Sequence, residues 1–193
     1  LWQAACYRLR MGLEPYLPVG VGFDALDELD HVDWSNLRHA YGQGVVGADL
    51  HGDVERALRL IEEDSRGALN EGLWSSLCHQ GTVYEASAFA VPFLASVASG
   101  NVSAELRKDL AILIGCIAIG GSDVSPNGMQ EGSYGDGVDA LIRDTISRCE
   151  GHFQSIERLE PSLGPLMAAI RLVSAHPSAE NREAAMRLID PED

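Results

Sequence analysis

The sequence predicts an all-α fold, an α-solenoid of antiparallel helix pairs with HEAT/armadillo-like spacing, and three observations predict it. Apolar residues recur at i, i+3, i+4 and i+7 in one segment after another, the spacing that lays a single buried stripe along a helix. No segment shows the sustained apolar–polar alternation of a half-buried strand. The stripes themselves return every roughly 30 to 40 residues, within the repeat length of helical solenoids.

Residues 1–23 are expected to be a poorly defined N-terminal segment, because Pro15, Pro18, Gly20 and Gly22 interrupt any period; only a short helix from Trp2 to Met11 fits. Residues 24–193 read as one HEAT-like helical domain. Asp33 is placed to cap a short helix with Trp34, Leu37 and Tyr41 on one side, closed by Gly42. After a glycine-rich loop at 42–52, Asp53 opens a helix that buries Val54, Ala57, Leu58 and Ile61 and turns Glu55, Arg56, Glu62 and Glu63 outward. Leu69, Leu73 and Leu77 continue at four-residue spacing to Cys78, and Gly81 supplies a left-handed stop.

Thr82 and Glu85 have the spacing of a capping box, which predicts a helix over 83–98. Pro92 should kink that helix or divide it, since proline removes one hydrogen bond and crowds the preceding turn. Ser103 caps a helix that is apolar on every side from Leu110 to Ile119, the signature of an element buried all round and the expected centre of the stack. A loop at 120–137 holds six glycines. Val138, Leu141, Ile142, Thr145, Ile146 and Cys149 then form one stripe, and Leu163, Leu166, Met167, Ile170 and Val173 the next, with Pro165 tolerated in its first turn. Ser178 caps a last helix ending near Ile189.

Composition narrows the partner. The 193 residues, 46% hydrophobic and 22% charged, are ample for one domain with a real core. Lys and Arg total 14 against 29 Asp and Glu, a formal charge of −15. Binding phosphates needs clustered cations, so this balance argues against nucleic acid; it favours a basic protein partner, or serves solubility alone. The acidity is concentrated early: Asp24 to Asp64 contains eleven carboxylates and three arginines. No run approaches the roughly 20 apolar residues of a membrane span. The first 20 residues lack a signal-peptide layout, and a start on Leu1 points to a trimmed terminus. Cys6, Cys78, Cys116 and Cys149 contain no closely spaced pair, as expected of thiols in a reducing, cytoplasmic setting.

Two blocks carry a resemblance. Asp33-Trp34-Ser35-Asn36-Leu37-Arg38-His39-Ala40-Tyr41-Gly42 and His79-Gln80-Gly81-Thr82-Val83-Tyr84-Glu85-Ala86-Ser87, running on to Ala90-Val91-Pro92-Phe93-Leu94, resemble a family of HEAT-repeat-like bacterial proteins common in actinobacteria and largely without assigned function. The match spans about residues 30–175. It implies an α-solenoid that presents an extended surface to another protein.

The chemistry-bearing residues are weighed against that background. His79, Gln80, Tyr84 and Glu85 meet at one helix junction, with Trp34, Arg38, His39 and Tyr41 at another; these eight are the expected binding residues. The alternative is a helical-repeat enzyme in which Glu85 orients His79 for acid–base work beside His39 and Tyr84. No metal or cofactor is expected. None of the six histidines lies three to five residues from another, so a metal site of His39, His51, His79 and Glu85 would have to be assembled in three dimensions. Asp123, Ser125, Asn127 and Gly128 begin like a calcium loop, but the bidentate position falls on Tyr134. Asp24, Asp27, Glu28, Asp30 and Asp33 lie along one segment rather than across a cleft, which suits a solvated acidic face better than glycosidase chemistry. Cys78 and His79 are adjacent, and neighbouring helix positions point about 100° apart, which is poor geometry for a nucleophile and its base. The sequence therefore reads as a non-enzymatic protein-binding module, by analogy of the antitoxin or immunity type.

Overall fold

The computed structural model describes residues 14–43, 50–121 and 137–189, and within them the regular structure is helical apart from two very short hairpins. The acidic stretch after Val21 winds as 3-10 helix over Gly22–His31, burying Ala25, Leu26 and Leu29 while its carboxylates face outward. Glu28 ties the preceding segment to it: its carboxylate accepts from the Tyr16 hydroxyl at 2.6 Å and from the Val19 and Gly20 N–H groups.

The helix expected after Asp33 does not form. Asp33 accepts from the side chains of Ser35 and Asn36, so its carboxylate is spent locally and not on backbone donors of a longer helix. Only a 3-10 turn, Trp34–Asn36, survives. Leu37 is extended, and β1 (Arg38–His39) pairs antiparallel with β2 (Gly42–Gln43).

Asp53 caps α1 (Val54–Leu60) by accepting from the Arg56 N–H, as its position predicts. A continuous rod follows in three parts: α2 (Ser65–Gly67), a π-helical turn Ala68–Leu73, and α3 (Trp74–Leu77). The Trp74 N–H reaches back five residues to the Leu69 carbonyl. Leu69, Leu73 and Leu77 are all buried. Gly72 lets the rod lie directly on α1, since a Cβ there would stand 2.7 Å from the Ala57 Cβ.

Beyond Leu77 the chain forms a second hairpin, β3 (Cys78–His79) paired with β4 (Thr82–Val83). The capping box expected at Thr82 and Glu85 is thereby displaced: Thr82 is a strand residue, and Gly81 serves the hairpin turn instead of a helix end. α4 (Glu85–Ala98) starts from Tyr84, whose N–H donates to the Ser87 hydroxyl oxygen at 2.9 Å while the Ser87 N–H donates to the Tyr84 carbonyl. That hydroxyl in turn donates to the Leu77 carbonyl at 2.6 Å, closing α3 as well. α4 is not divided at Pro92. It runs through as one helix, with every residue from Ala86 to Ala98 buried, so packing on all sides outweighs the lost hydrogen bond.

α5 (Ala104–Gly120) is capped by Ser103, which accepts from the Leu106 N–H. It is not buried all round: Ile112 and Cys116 are half-buried. The centre of the fold is α4, which packs against the 3-10 run and α5, and against α6 (Val138–Arg148) and α7 (Glu150–Leu159). α8 (Gly164–Ala175) carries Pro165 in its first turn as expected, and α9 (Ala179–Ile189) is capped by Ser178. α5 also packs on α8 and α9. α7 is not anticipated by the stripe pattern, because it buries only Phe153 and Ile156. Arg171 of α8 holds it by binding Glu150 at 2.7 Å and Glu157 at 2.6 Å.

Among the described residues, Arg107 is the one charged side chain in the buried polar set. Its guanidinium donates to the carbonyls of Ala98, Gly100 and Val102, and so terminates α4 and shapes the turn into α5. Among the described residues no helix is long and apolar enough to cross a membrane. The Trp2–Met11 helix, the calcium-like segment and most of the 42–52 loop lie outside the described residues.

Candidate functional site

The two hairpins descend from a repeated sequence. Trp34-Ser35-Asn36-Leu37-Arg38-His39 and Trp74-Ser75-Ser76-Leu77-Cys78-His79 share Trp, Ser, Leu and His at the same offsets, 40 positions apart. Each copy ends in a two-residue hairpin loop, Ala40-Tyr41 in one and Gln80-Gly81 in the other. Leu37 and Leu77 are both buried and pin the strands to the core. The first hairpin is then hung on α3, just ahead of the second, the Ala40 N–H donating to the Ser76 carbonyl at 3.1 Å.

The equivalent histidines have opposite fates. His39 is 3% exposed, whereas His79 is exposed. The difference is a lid of backbone over His39: a Cβ on Gly52 would stand 2.6 Å from the His39 Cε1, and Gly52 has φ of +82°. Only glycine accepts both constraints. The Gly52 N–H donates to the Ser76 hydroxyl oxygen at 3.0 Å, which fixes the lid.

Tyr41 stands between the hairpins, 40% exposed, with three imidazoles round its ring: His51 at 5.5 Å, His79 at 6.0 Å and His39 at 6.4 Å between centroids. Hydrogen bonds assign two tautomers. The Tyr41 N–H donates to His39 Nδ1 at 3.1 Å, so neutral His39 carries its proton on Nε2. The Ser75 hydroxyl donates to the Gly72 carbonyl, and its oxygen therefore accepts from His51 Nδ1 at 3.0 Å. The π-helical turn just before Trp74 brings Ser75 and Ser76 to these partners.

The eight residues expected to form a binding patch divide. Arg38, Tyr41, His79 and Gln80 lie on the surface at the hairpins. Glu85 joins them, its carboxylate accepting from the Arg38 N–H at 3.2 Å from the first turn of α4. Trp34 and Tyr84 are buried: the Trp34 indole donates to the Leu29 carbonyl and packs on Phe93 at 5.9 Å, and Tyr84 opens α4. Ser75, Ser76 and Gly52 are not among those eight, although the repeated Trp-Ser-x-Leu-x-His block is legible in the chain and marks Ser75, with Ser76 at its variable position.

His39, His51 and His79 do come together, yet among the described residues no group of three or more His, Cys, Asp or Glu is placed to hold a metal ion. The cleft beside His39, walled by Trp34, Gly52, Asp53 and Glu55, encloses about 70 Å³. Small-molecule sites occupy roughly 300–1,000 Å³. Cys78 and His79 sit on a strand, not a helix, so their side chains leave on opposite faces and the pair is still no nucleophile and base. Set against known protein families, curated proteins and solved structures, the chain matches none.

Proposed function

We propose that the chain is a non-enzymatic, HEAT-like helical module of bacterial cytoplasm that binds a basic protein, with Tyr41 at the centre of the docking surface. Tyr41 carries this reading. An exposed tyrosine ring held among three imidazoles is already ordered before a partner arrives, and rigid aromatics with a polar tip dominate interface energetics because they lose little conformational entropy on binding. Around it, Arg38, Gln80 and His79 supply a polar rim. The formal charge of −15 favours encounter with a cationic partner. Neutralisation of a basic protein, the antitoxin or immunity role, is the specific form of this proposal.

The helical-repeat enzyme built on His39, His79, Tyr84 and Glu85 receives less support. Glu85 accepts from the Arg38 N–H and His39 Nδ1 from the Tyr41 N–H, bonds that serve the first hairpin's backbone. Affinity capture with the wild-type chain and Tyr41→Ala, at low and at high salt, tests the proposal. A basic protein retained at low salt, released at high salt and lost with Tyr41→Ala supports it; acidic partners, or equal capture by Tyr41→Ala, overturn it.

A further inference from the structure

The first hairpin closes on a neutral imidazole. In its two-residue loop, Ala40-Tyr41, the Tyr41 N–H turns back on its own strand, where His39 Nδ1 accepts it at 3.1 Å. That nitrogen is an acceptor only while it carries no proton. In the imidazolium both ring nitrogens are donors, so no rotation of the ring restores the bond. We propose that His39 is a pH-sensitive latch: a second proton on its ring unfastens the Ala40-Tyr41 loop and withdraws Tyr41 from its setting among the three histidines. The latch deepens the reading of Tyr41 as the centre of a docking surface and, for its effect on a partner, rests on that reading.

The surroundings make the loop, and not the ring, the part that yields. His39 is 3% exposed and lies under Gly52, where a Cβ would stand 2.6 Å from its Cε1. The lid is itself fastened, the Gly52 N–H donating to the Ser76 hydroxyl oxygen. The ring therefore has no room to swing clear. Tyr41 is 40% exposed, so a loop that lifts passes its N–H to water. The anchors before it stay in place, Leu37 in the core and the Ala40 N–H on the Ser76 carbonyl, which keeps the opening local.

The other two imidazoles do not share this constraint. His51 Nδ1 already donates to Ser75, and a proton added at its Nε2 leaves that bond intact; His79 is exposed. Charged groups face His39 from each neighbouring element. Asp53 and Glu55 of the α1 end share its cleft and draw a proton toward it. Arg38 on its own strand opposes one, as do His51 and His79 once charged, and Glu85 of α4 is engaged on the Arg38 N–H. These charges bear on when the proton arrives; that it excludes the Tyr41 bond follows from Nδ1 alone. Acidification then acts twice on a basic partner, by withdrawing the aromatic anchor and by adding positive charge beside it. A free imidazole takes up its proton at about pH 6.5, and a state that excludes one proton loses about tenfold in population per pH unit below that.

The test uses the full chain, isotopically labelled and without a partner. Histidine-ring NMR spectra read the tautomer and protonation of His39, and amide exchange, corrected for its intrinsic pH dependence, reads the Tyr41 N–H. At about pH 7.5 His39 should carry its proton on Nε2 and the Tyr41 N–H should be protected; by about pH 5.5 that protection should fall about tenfold, with the midpoint of the His39 ring. In His39→Asn the side-chain Oδ1 takes the place of Nδ1 and does not titrate, so Tyr41 should stay protected throughout. His51→Gln and His79→Gln should respond as wild type does. A His39 still neutral at the lower pH overturns the proposal, as does a doubly protonated His39 beside an unchanged Tyr41 amide, or a response kept in His39→Asn and abolished in His51→Gln or His79→Gln. The wild-type ring and amide signals decide the matter even where His39→Asn fails to fold. Equal partner capture by Tyr41→Ala would remove the docking reading and leave this partner-free result standing.

Discussion

Ser76 holds Ala40 through its backbone and Gly52 through its side chain: the Ala40 N–H donates to the Ser76 carbonyl at 3.1 Å, and the Gly52 N–H to the Ser76 hydroxyl oxygen at 3.0 Å. One residue of the second repeat thus positions both the hairpin of the first repeat and the lid over His39. Ser76 is 0% exposed, so its alanine variant would strand a buried N–H. Ser76→Ala should cost about 1–3 kcal/mol, read as a lower urea midpoint with unchanged slope.

Gln80 has φ of +51°, the one non-glycine residue with positive φ among those described. A two-residue hairpin loop of this kind favours asparagine or glycine at that position. Gln80→Asn should therefore stabilise the chain by about 0.5–1 kcal/mol in chemical denaturation. If it also weakens partner capture, the glutamine is kept for contact at the expense of strain.

Arg107 presents a planar fork to three carbonyls. Lysine cannot reproduce that geometry, so Arg107→Lys and Arg107→Met should both lower stability, by about 2–4 kcal/mol, with the loss at Arg107→Lys showing that geometry matters beyond charge. Thermal unfolding of the two variants beside wild type is the measurement.

Stability should fall on the acid side in two stages. Desolvation lowers the pKa of His152, whose Nδ1 lies 2.9 Å from the Ser99 hydroxyl. Its folded pKa being below the unfolded value of 6.5, the unfolded chain takes up the proton first; the contribution is intact above 6.5 and is lost as pH falls through 6.5 and the folded pKa. Glu28, held down by the Tyr16 hydroxyl and the Gly20 and Val19 N–H groups, contributes above 4.5 and is lost below it. A melting-temperature profile should lose its upper step in His152→Gln and its lower step in Glu28→Gln.

Tyr41→Ala should leave the melting temperature within about 2 °C of wild type, because the ring is surface-exposed and buries no part of the core, yet reduce partner affinity tenfold or more. Loss of binding accompanied by loss of fold would identify a structural role in place of a docking one.

Local chemistry made much of this legible in advance. Asp53, Ser103 and Ser178 cap the helices their positions imply, because a cap is a bond between a side chain and a donor three residues away. Leu69, Leu73 and Leu77 are buried as their spacing requires. Where two local bonds compete, spacing misleads. Asp33 has donors from Ser35 and Asn36 as well as from a helix, and Thr82 lies three residues from His79 across a glycine turn that favours pairing with it. α7 shows a third limit: two buried side chains give too faint a stripe, and the helix is secured by Arg171 from another element.

The amino-acid sequence by itself determined the all-α character, most helix boundaries, the acidic charge and the Trp-Ser-x-Leu-x-His duplication, since each depends on neighbours within a few turns or on composition. Only the tertiary structure decided that His39 is covered while its counterpart His79 is exposed, and that Tyr41 gathers three histidines. Those outcomes turn on which backbone segment closes over which side chain. Gly52 closes over His39 because it alone lacks a Cβ there, a relation between residues that no local spacing encodes.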